Sequence, residues 1–232
     1  MRQLWPRLHA AWERLWSALT YPICQPHTAF LSVAGNTPPR IGVLALQGDV
    51  AEHTALLGTL GVDVVDIRQV HQLEGLDGLV IPGGESSVMD KLTRLFGLAK
   101  PLQAAIARGL PVLGTCAGLI MLAQDLEDGI AGQQTLGGLD VSVRRNAFGS
   151  QVDSSEIELH IEGIGGPPMA VALIRAPLVT RVGKDVKVIA TLSDGSIVAV
   201  EQGSLIGVSF HPEITGDDRL HRRFVELVKN RQ

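Results

Sequence analysis

The stretch LPVLGTCAGLIMLAQDL, residues 110–126, carries an apolar run into Gly114-Thr115-Cys116-Ala117-Gly118 and out into a second apolar run. Leu110–Gly114 reads as a buried strand and Ala117–Leu126 as a helix. The five residues between them form a G-x-nucleophile-x-G elbow with cysteine at its centre. Small residues suit such an elbow because the turn is sharp and neighbouring backbones approach closely. The geometry lifts the Cys116 Sγ to the carboxyl edge of a sheet. It also sets the sulfur at a helix start, where free N–H groups favour thiolate over thiol. The N–H of Ala117 then faces an oxyanion forming beside the sulfur. The competing reading is a small cysteine packed as a hydrophobe.

The same alternation recurs on either side of this stretch. Ile41–Leu46 is an apolar, β-branched run that ends at Gln47-Gly48. Val50, His53, Leu56, Leu57 and Leu60 follow at helical spacing, with Asp49 as the expected N-cap and Gly61 as the residue beyond the C-cap. Val62–Ile67 and Gly78–Ile81 read as strands, and Pro101–Arg108 as a helix ending at Gly109. This order predicts an α/β fold: a doubly wound, mostly parallel sheet flanked by helices, its strand ends opening on one crevice. Beyond Gly137 strand-like runs follow one another, at Leu139–Val143, Glu156–Ile161, Ala170–Ile174, Val186–Thr191, Ile197–Val200 and Leu205–Phe210. They predict an added β-rich C-terminal portion, with Asp194-Gly195 as a hairpin turn and a closing amphipathic helix over Asp217–Val228.

The chain has 232 residues, 45% hydrophobic and 19% charged, with a formal net charge of -4. That length suits one large α/β domain, and the near-neutral charge offers no nucleic-acid surface. Mean hydropathy is +0.21, yet no apolar run is long enough to cross a bilayer, so no membrane partner is expected. Strands buried on both faces explain the apolar excess. Two cysteines, Cys24 and Cys116, cannot build a disulfide framework, and a reducing, cytoplasmic setting follows.

Residues 1–39 differ in character from the body, residues 40–232. Trp5, Trp12, Trp16 and Tyr21 all lie there, with Arg2, Arg7 and Arg14 against one acid, Glu13. A short amphipathic helix serving as a membrane-surface or docking helix is one reading. The expectation adopted is an atypical N-terminal extension that is unstructured, or a start assigned too far upstream, with Val33 a candidate native start.

A cysteine nucleophile needs a base and a group to orient it. His211-Pro212-Glu213 follows the strand Leu205–Phe210 directly. Residues two apart in extended chain project to the same side, so Glu213 can hold one imidazole nitrogen while the other faces Cys116. Pro212 stiffens that spacing. His53 is read as cover for an apolar helix face, His160 as alternating within a strand, and His71 and His221 as surface residues; none receives a catalytic role. The histidines are too scattered for a metal site. Pro82-Gly83-Gly84-Glu85-Ser86-Ser87 closes a strand, and its glycine N–H groups can serve as oxyanion donors or substrate contacts. Glu85 could accept from a substrate ammonium. A phosphate loop is a poor fit, since neither G-x-x-x-x-G-K-[ST] nor G-x-G-x-x-G is present.

The stretches GVLALQGDVAEH, LVIPGGESSVM, PVLGTCAGLIMLA, VRRNAFGSQVDS, LIRAP and GVSFHPEIT together resemble the triad-type (class I) glutamine amidotransferases. Within that family the chain is similar to the glutaminase subunits of bacterial pyridoxal 5′-phosphate synthases. LQGDVAEH, GGESS and RNAFGSQ separate these from amidotransferases of other pathways. The resemblance spans about Ile41 to Phe224 and has no counterpart for residues 1–39. It implies Cys116 as nucleophile, His211 as general base and acid, and Glu213 as the orienting carboxylate. It implies glutamine contacts from Gly84, Glu85, Ser86, Arg145, Ile174 and Arg175, an oxyanion hole from Gly84 and Ala117, and a lesser role for Gln47. An arginine suits the carboxylate of glutamine. It further implies L-glutamine as substrate, no cofactor, and a hetero-oligomer with a synthase subunit that takes up the ammonia. A glutaminase subunit of another pathway, a free-standing cysteine hydrolase and a non-catalytic regulatory subunit remain alternatives.

Overall fold

The computed structural model describes residues 37–145 and 155–231. The expected extension, residues 1–39, and Asn146 to Gly149 of the family motif therefore lie wholly or almost wholly outside the described residues. The elements in chain order begin with β1 (Arg40–Leu44), α1 (Val50–Gly58), β2 (Asp63–Ile67) and β3 (Gly78–Ile81). Next come α2 (Ser86–Leu95), α3 (Ala99–Ala107), β4 (Val112–Thr115), α4 (Ala117–Leu122), β5 (Ala123–Glu127) and β6 (Leu139–Arg144). The remainder is β7 (Ser155–Leu159), β8 (Met169–Leu173), β9 (Leu178–Val182), β10 (Lys187–Thr191), β11 (Ile197–Gln202), β12 (Leu205–Val208), α5 (Pro212–Thr215) and α6 (Arg219–Lys229).

The main sheet runs β2-β1-β3-β4-β12-β11-β9-β6-β5, with β10 paired to β11 and a separate β7-β8 ribbon. Pairings from β2 through β12 are parallel. The β12-β11, β11-β9 and β9-β6 pairings are antiparallel. The α/β sheet with a β-rich C-terminal part is thus the fold expected. Strand order reverses beside β1, which opens the crevice at the carboxyl ends of β1, β3, β4 and β12.

Each central strand is buried on both faces. In β3, Leu79 and Ile81 join one aliphatic layer while Val80 joins the other. Phe210 and Phe224 fill the layer that also holds Leu57, and Met89, Leu102 and Leu119 fill the layer opposite. Burying each such side chain is worth about 1.5–3 kcal/mol, so this double-sided packing dominates the fold's stability. No described helix is long and apolar enough to cross a membrane.

One local expectation is corrected, and two elements appear where none was assigned. The helix expected over Ala117–Leu126 stops at Leu122, and Ala123–Glu127 becomes β5, paired with β6. A short apolar run does not choose between helix and strand by itself; the neighbouring strand decides. Ser86–Leu95 is a helix that the sequence reading did not assign, with the Glu85 carboxylate accepting from Ser87 N–H at its start. Leu178–Val182 is a strand where none was expected. The Asp194-Gly195 turn does join β10 to β11, with Asp194 accepting from Ser196 N–H at 2.9 Å.

Candidate active site

Cys116 sits in the turn between β4 and α4 with φ +47° and ψ −100°. A non-glycine residue there is strained by about 1–3 kcal/mol, and the surrounding packing must enforce it. The flanking glycines show how. A Cβ on Gly118 would lie 2.0 Å from the Ile81 carbonyl oxygen, and one on Gly114 would lie 2.7 Å from the Gly118 backbone. Only bare backbone lets α4 descend so close to β3 and β4. The Cys116 N–H donates to the Val208 carbonyl at 2.8 Å, which ties the elbow to β12. Cys116 is 7% exposed, so its sulfur faces a small opening.

That opening is a cavity of about 160 Å³ lined by Asp49, Gly84, Glu85, Cys116, Arg145 and His211, with Ser86, Ile174 and Arg175 also on its wall. Larger hollows, of about 670 and 950 Å³, lie elsewhere and contain no cysteine. The residues expected at the site therefore line one cavity, except Gln47, Ala117 and Glu213. Glu213 is buried against His211, and Ala117 begins α4 beside the sulfur.

His211 follows β12 and caps α5, whose first residue is Pro212. Its Nδ1 lies 2.8 Å from Glu213 Oε1 and 3.2 Å from Asp49 Oδ2. Burial alone would lower the His211 pKa, but hydrogen bonds donated by its ring to Asp49, Cys116 and Glu213 and the charge on Cys116 push it up to about 12. The imidazolium is thus stabilised between a sulfur on one side and two carboxylates on the other. Burial raises the Glu213 carboxyl, and His211 opposes that shift. Gly83 packs against the ring: a Cβ there would lie 2.3 Å from His211 Cε1.

On the other wall, Glu85 Oε1 accepts from Arg145 Nη2 at 2.6 Å and from Ser87 Oγ–H at 3.0 Å. Arg145 Nη1 donates to Gln133 Oε1 at 3.0 Å, and Gln133 Nε2 donates to Ser86 Oγ at 3.1 Å. Glu85 and Arg145 are therefore each other's partners rather than two free charges. Gln47 Oε1 accepts from Glu85 N–H at 2.7 Å, which fixes the loop after β3. The Ile174 carbonyl lies 4.0 Å from Cys116 Sγ, and Arg175 beside it takes φ +45°.

Three residues escaped the sequence reading. Asp49, expected only as a cap, makes no side-chain cap bond and turns to His211 instead. His221, expected at the surface, is fully buried, whereas His53 covers an apolar helix face as expected. The signal existed: His221, Val225 and Val228 share one buried stripe of α6, as His53 and Leu57 do on α1. Gln133 lay in a loop with no pattern to mark it.

These histidines set a stability prediction. Burial lowers the His53 pKa well below its usual value, helped by His221 and His211. Burial also lowers His221, to about 4. Both groups have folded pKa values below their unfolded ones, so their contribution is present above pH ~6.5 and is lost as pH falls. Glu213, raised by burial, opposes this in part. Denaturant unfolding should show a loss on the order of 2 kcal/mol from His221 between pH 7 and 5. A His221→Leu variant should show a shallower slope; an unchanged slope would refute the assignment.

The model of the SNO glutamine amidotransferase family matches residues 43–230. The pyridoxal 5′-phosphate synthase subunit PdxT of Clavibacter sepedonicus is 56% identical over 204 residues, covering 85% of this chain and 98% of that protein. The subunit of the same description from Leifsonia xyli subsp. xyli is 60% identical over 193 residues, covering 83% and 98%. A crystal structure described as a glutamine amidotransferase superposes with a TM-score of 0.76 at 44% identity, covering 82% of this chain and 98% of the other. The structure of PurLQS from Thermotoga maritima, at 18% identity and a TM-score of 0.60, covers 84% of this chain and 99% of the other and shares the fold. The chain belongs to the SNO glutamine amidotransferase family.

Proposed function

We propose that this chain hydrolyses L-glutamine to L-glutamate and ammonia through Cys116, His211 and Glu213, and passes the ammonia to the synthase subunit of a pyridoxal 5′-phosphate synthase. The observation that carries the reading is the convergence of an elbow cysteine with an imidazole whose far nitrogen rests on a buried carboxylate at 2.8 Å. The relatives named above, described as subunits of that synthase, support the pathway.

The Cys116 thiolate attacks the side-chain amide carbon of glutamine. Backbone N–H groups of Ala117 and Gly84 receive the oxyanion. The His211 imidazolium gives its Nε2 proton to the departing nitrogen, so ammonia rather than amide ion leaves. A γ-glutamyl thioester remains on the sulfur. His211, now neutral, takes a proton from water; the hydroxide adds to the thioester, glutamate departs and the thiolate returns. Glu213 holds the imidazole in the tautomer that leaves Nε2 free for the sulfur. Glu85, Ser86, Arg145, Ile174 and Arg175 bind the amino-acid end. Arg145 reaches a substrate carboxylate by leaving Glu85, and Glu85 is then released to accept from the substrate ammonium. No cofactor or metal enters this chemistry.

The working unit is residues 40–232, separate from the extension 1–39. The cytoplasm, which keeps a free thiol reduced, is the compartment that suits Cys116. The chain functions in a hetero-oligomer, because an ammonia-releasing site without a synthase partner yields only free ammonia. Ammonia release measured with and without the synthase subunit tests the reading. Weak hydrolysis alone and faster hydrolysis in the complex is the expected result. Equal rates would remove the partner from the proposal, and no release in either case would remove the activity.

A further inference from the structure

Behind the site lies a buried polar chain that the hydrolytic steps above do not use. His53 on α1 and His221 on α6 are both fully buried. His53 Nδ1 lies 2.9 Å from His221 Nε2. His53 Nε2 lies 3.1 Å from Thr115 Oγ1 and 3.5 Å from Glu213 Oε2. The second oxygen of Glu213 has no hydrogen-bond partner, its approach to His53 being a charge contact only, and His221 Nδ1 has none either.

One set of protons fits all of these contacts. With Glu213 ionised, Oε2 can only accept, so the favourable arrangement puts hydrogen on the ring nitrogen that faces it. His53 is then protonated on Nε2, and its Nδ1 accepts from Nε2–H of His221. That leaves His221 Nδ1 as a bare acceptor, which is why it can stay buried without a partner at modest cost: an unmet acceptor is the easier group to tolerate. Burial holds both rings neutral, as their lowered pKa values require.

Resting on the glutaminase reading, we propose that His53 is a positioning residue: its Nε2–H faces Glu213 Oε2 and holds that carboxylate ionised with Oε1 on His211, while His221 fixes the His53 tautomer. The chain then runs Cys116, His211, Glu213, His53, His221. Thr115, the residue before the nucleophile, shares the same N–H, so the elbow and the carboxylate are anchored by one ring. An ionised carboxylate this deeply buried needs a donor on each oxygen. The other groups facing it are Asp49, whose charge raises Glu213, and His211, which lowers it. His221 in turn faces Asp218.

Losing the His53 donor should make ionised Glu213 less favourable. Its support for the His211 imidazolium then weakens, and with it the charge that faces the sulfur. The test uses the full chain with its synthase subunit and compares His53→Leu, His53→Asn and His53→Gln. Leucine removes the donor. Asparagine keeps a polar partner for His221 but stops short of Glu213. Glutamine places an amide N–H at the depth of the lost Nε2. In the first two, kcat should fall about tenfold or more with KM nearly unchanged, and the acid limb of kcat/KM should move to higher pH. Glutamine should restore most of both.

The pH dependence of Cys116 alkylation by iodoacetamide is measured on the same proteins and should shift in the same direction. It needs no turnover, so it still compares the variants if the wild-type chain releases no ammonia from glutamine. If leucine prevents folding, the asparagine and glutamine pair decides. Unshifted pH limbs in every folded variant, or equal losses in asparagine and glutamine, would overturn the proposal.

Discussion

Cys116→Ala should lose glutamine hydrolysis by about ten-thousand-fold or more, with folding and assembly intact. The expectation follows from the sulfur's place as the one group in the cavity able to form the thioester. His211 and Glu213 without it have no covalent partner to activate, and a residual rate can come only from positioning and oxyanion contacts. The fold should survive because the sulfur contributes little packing: it faces an opening, and the elbow is held by backbone bonds such as Cys116 N–H to Val208. A companion variant separates chemistry from strain. At φ +47° a side chain costs about 1–3 kcal/mol, and glycine removes that cost. Cys116→Gly should therefore be inactive yet melt above Cys116→Ala. Equal melting temperatures would mean that the elbow is not strained.

Gly118→Ala should have the largest effect on stability. Its new Cβ would lie 2.0 Å from the Ile81 carbonyl oxygen, and Ile81 ends β3 in the middle of the sheet, where backbone cannot retreat. A loss of about 3 kcal/mol or more, with poor soluble yield, is expected. Gly58→Ala is the control. It closes α1, and a Cβ there meets nothing within 4 Å, so stability should hold or improve by up to about 1 kcal/mol. Thermal melting of both variants checks the pair; a well-folded, active Gly118→Ala protein would contradict the close-packed elbow.

The parts of this site legible in the sequence are those with short-range grammar. The elbow announces itself because two glycines, a cysteine and two apolar flanks are contiguous. His211-Pro212-Glu213 is legible for the same reason, since two-residue spacing in extended chain puts both groups on one side. What was hidden depends on contacts between distant segments. β5 looks helical until β6 pairs with it. Glu85 and Arg145 read as two ligands for substrate, and only the fold brings them to 2.6 Å of one another. Asp49 reads as a helix cap because the group its side chain faces, His211, lies far down the chain. His53 and His221 follow apolar stripes on two helices, but the stripes do not say that the helices bring the two rings to 2.9 Å. Polar residues on an apolar stripe, paired across elements, are where sequence periodicity is least informative.

The most direct measurement is peptide mapping by mass spectrometry after the full chain, with its synthase subunit, is treated with a glutamine analogue carrying an electrophilic ketone in place of the amide. A single adduct on the Cys116 peptide, prevented by excess glutamine and much slower in His211→Asn, is the expected result. Labelling elsewhere, or labelling that ignores glutamine and His211, would contradict the assignment of this cysteine and its imidazole to the hydrolysis of glutamine.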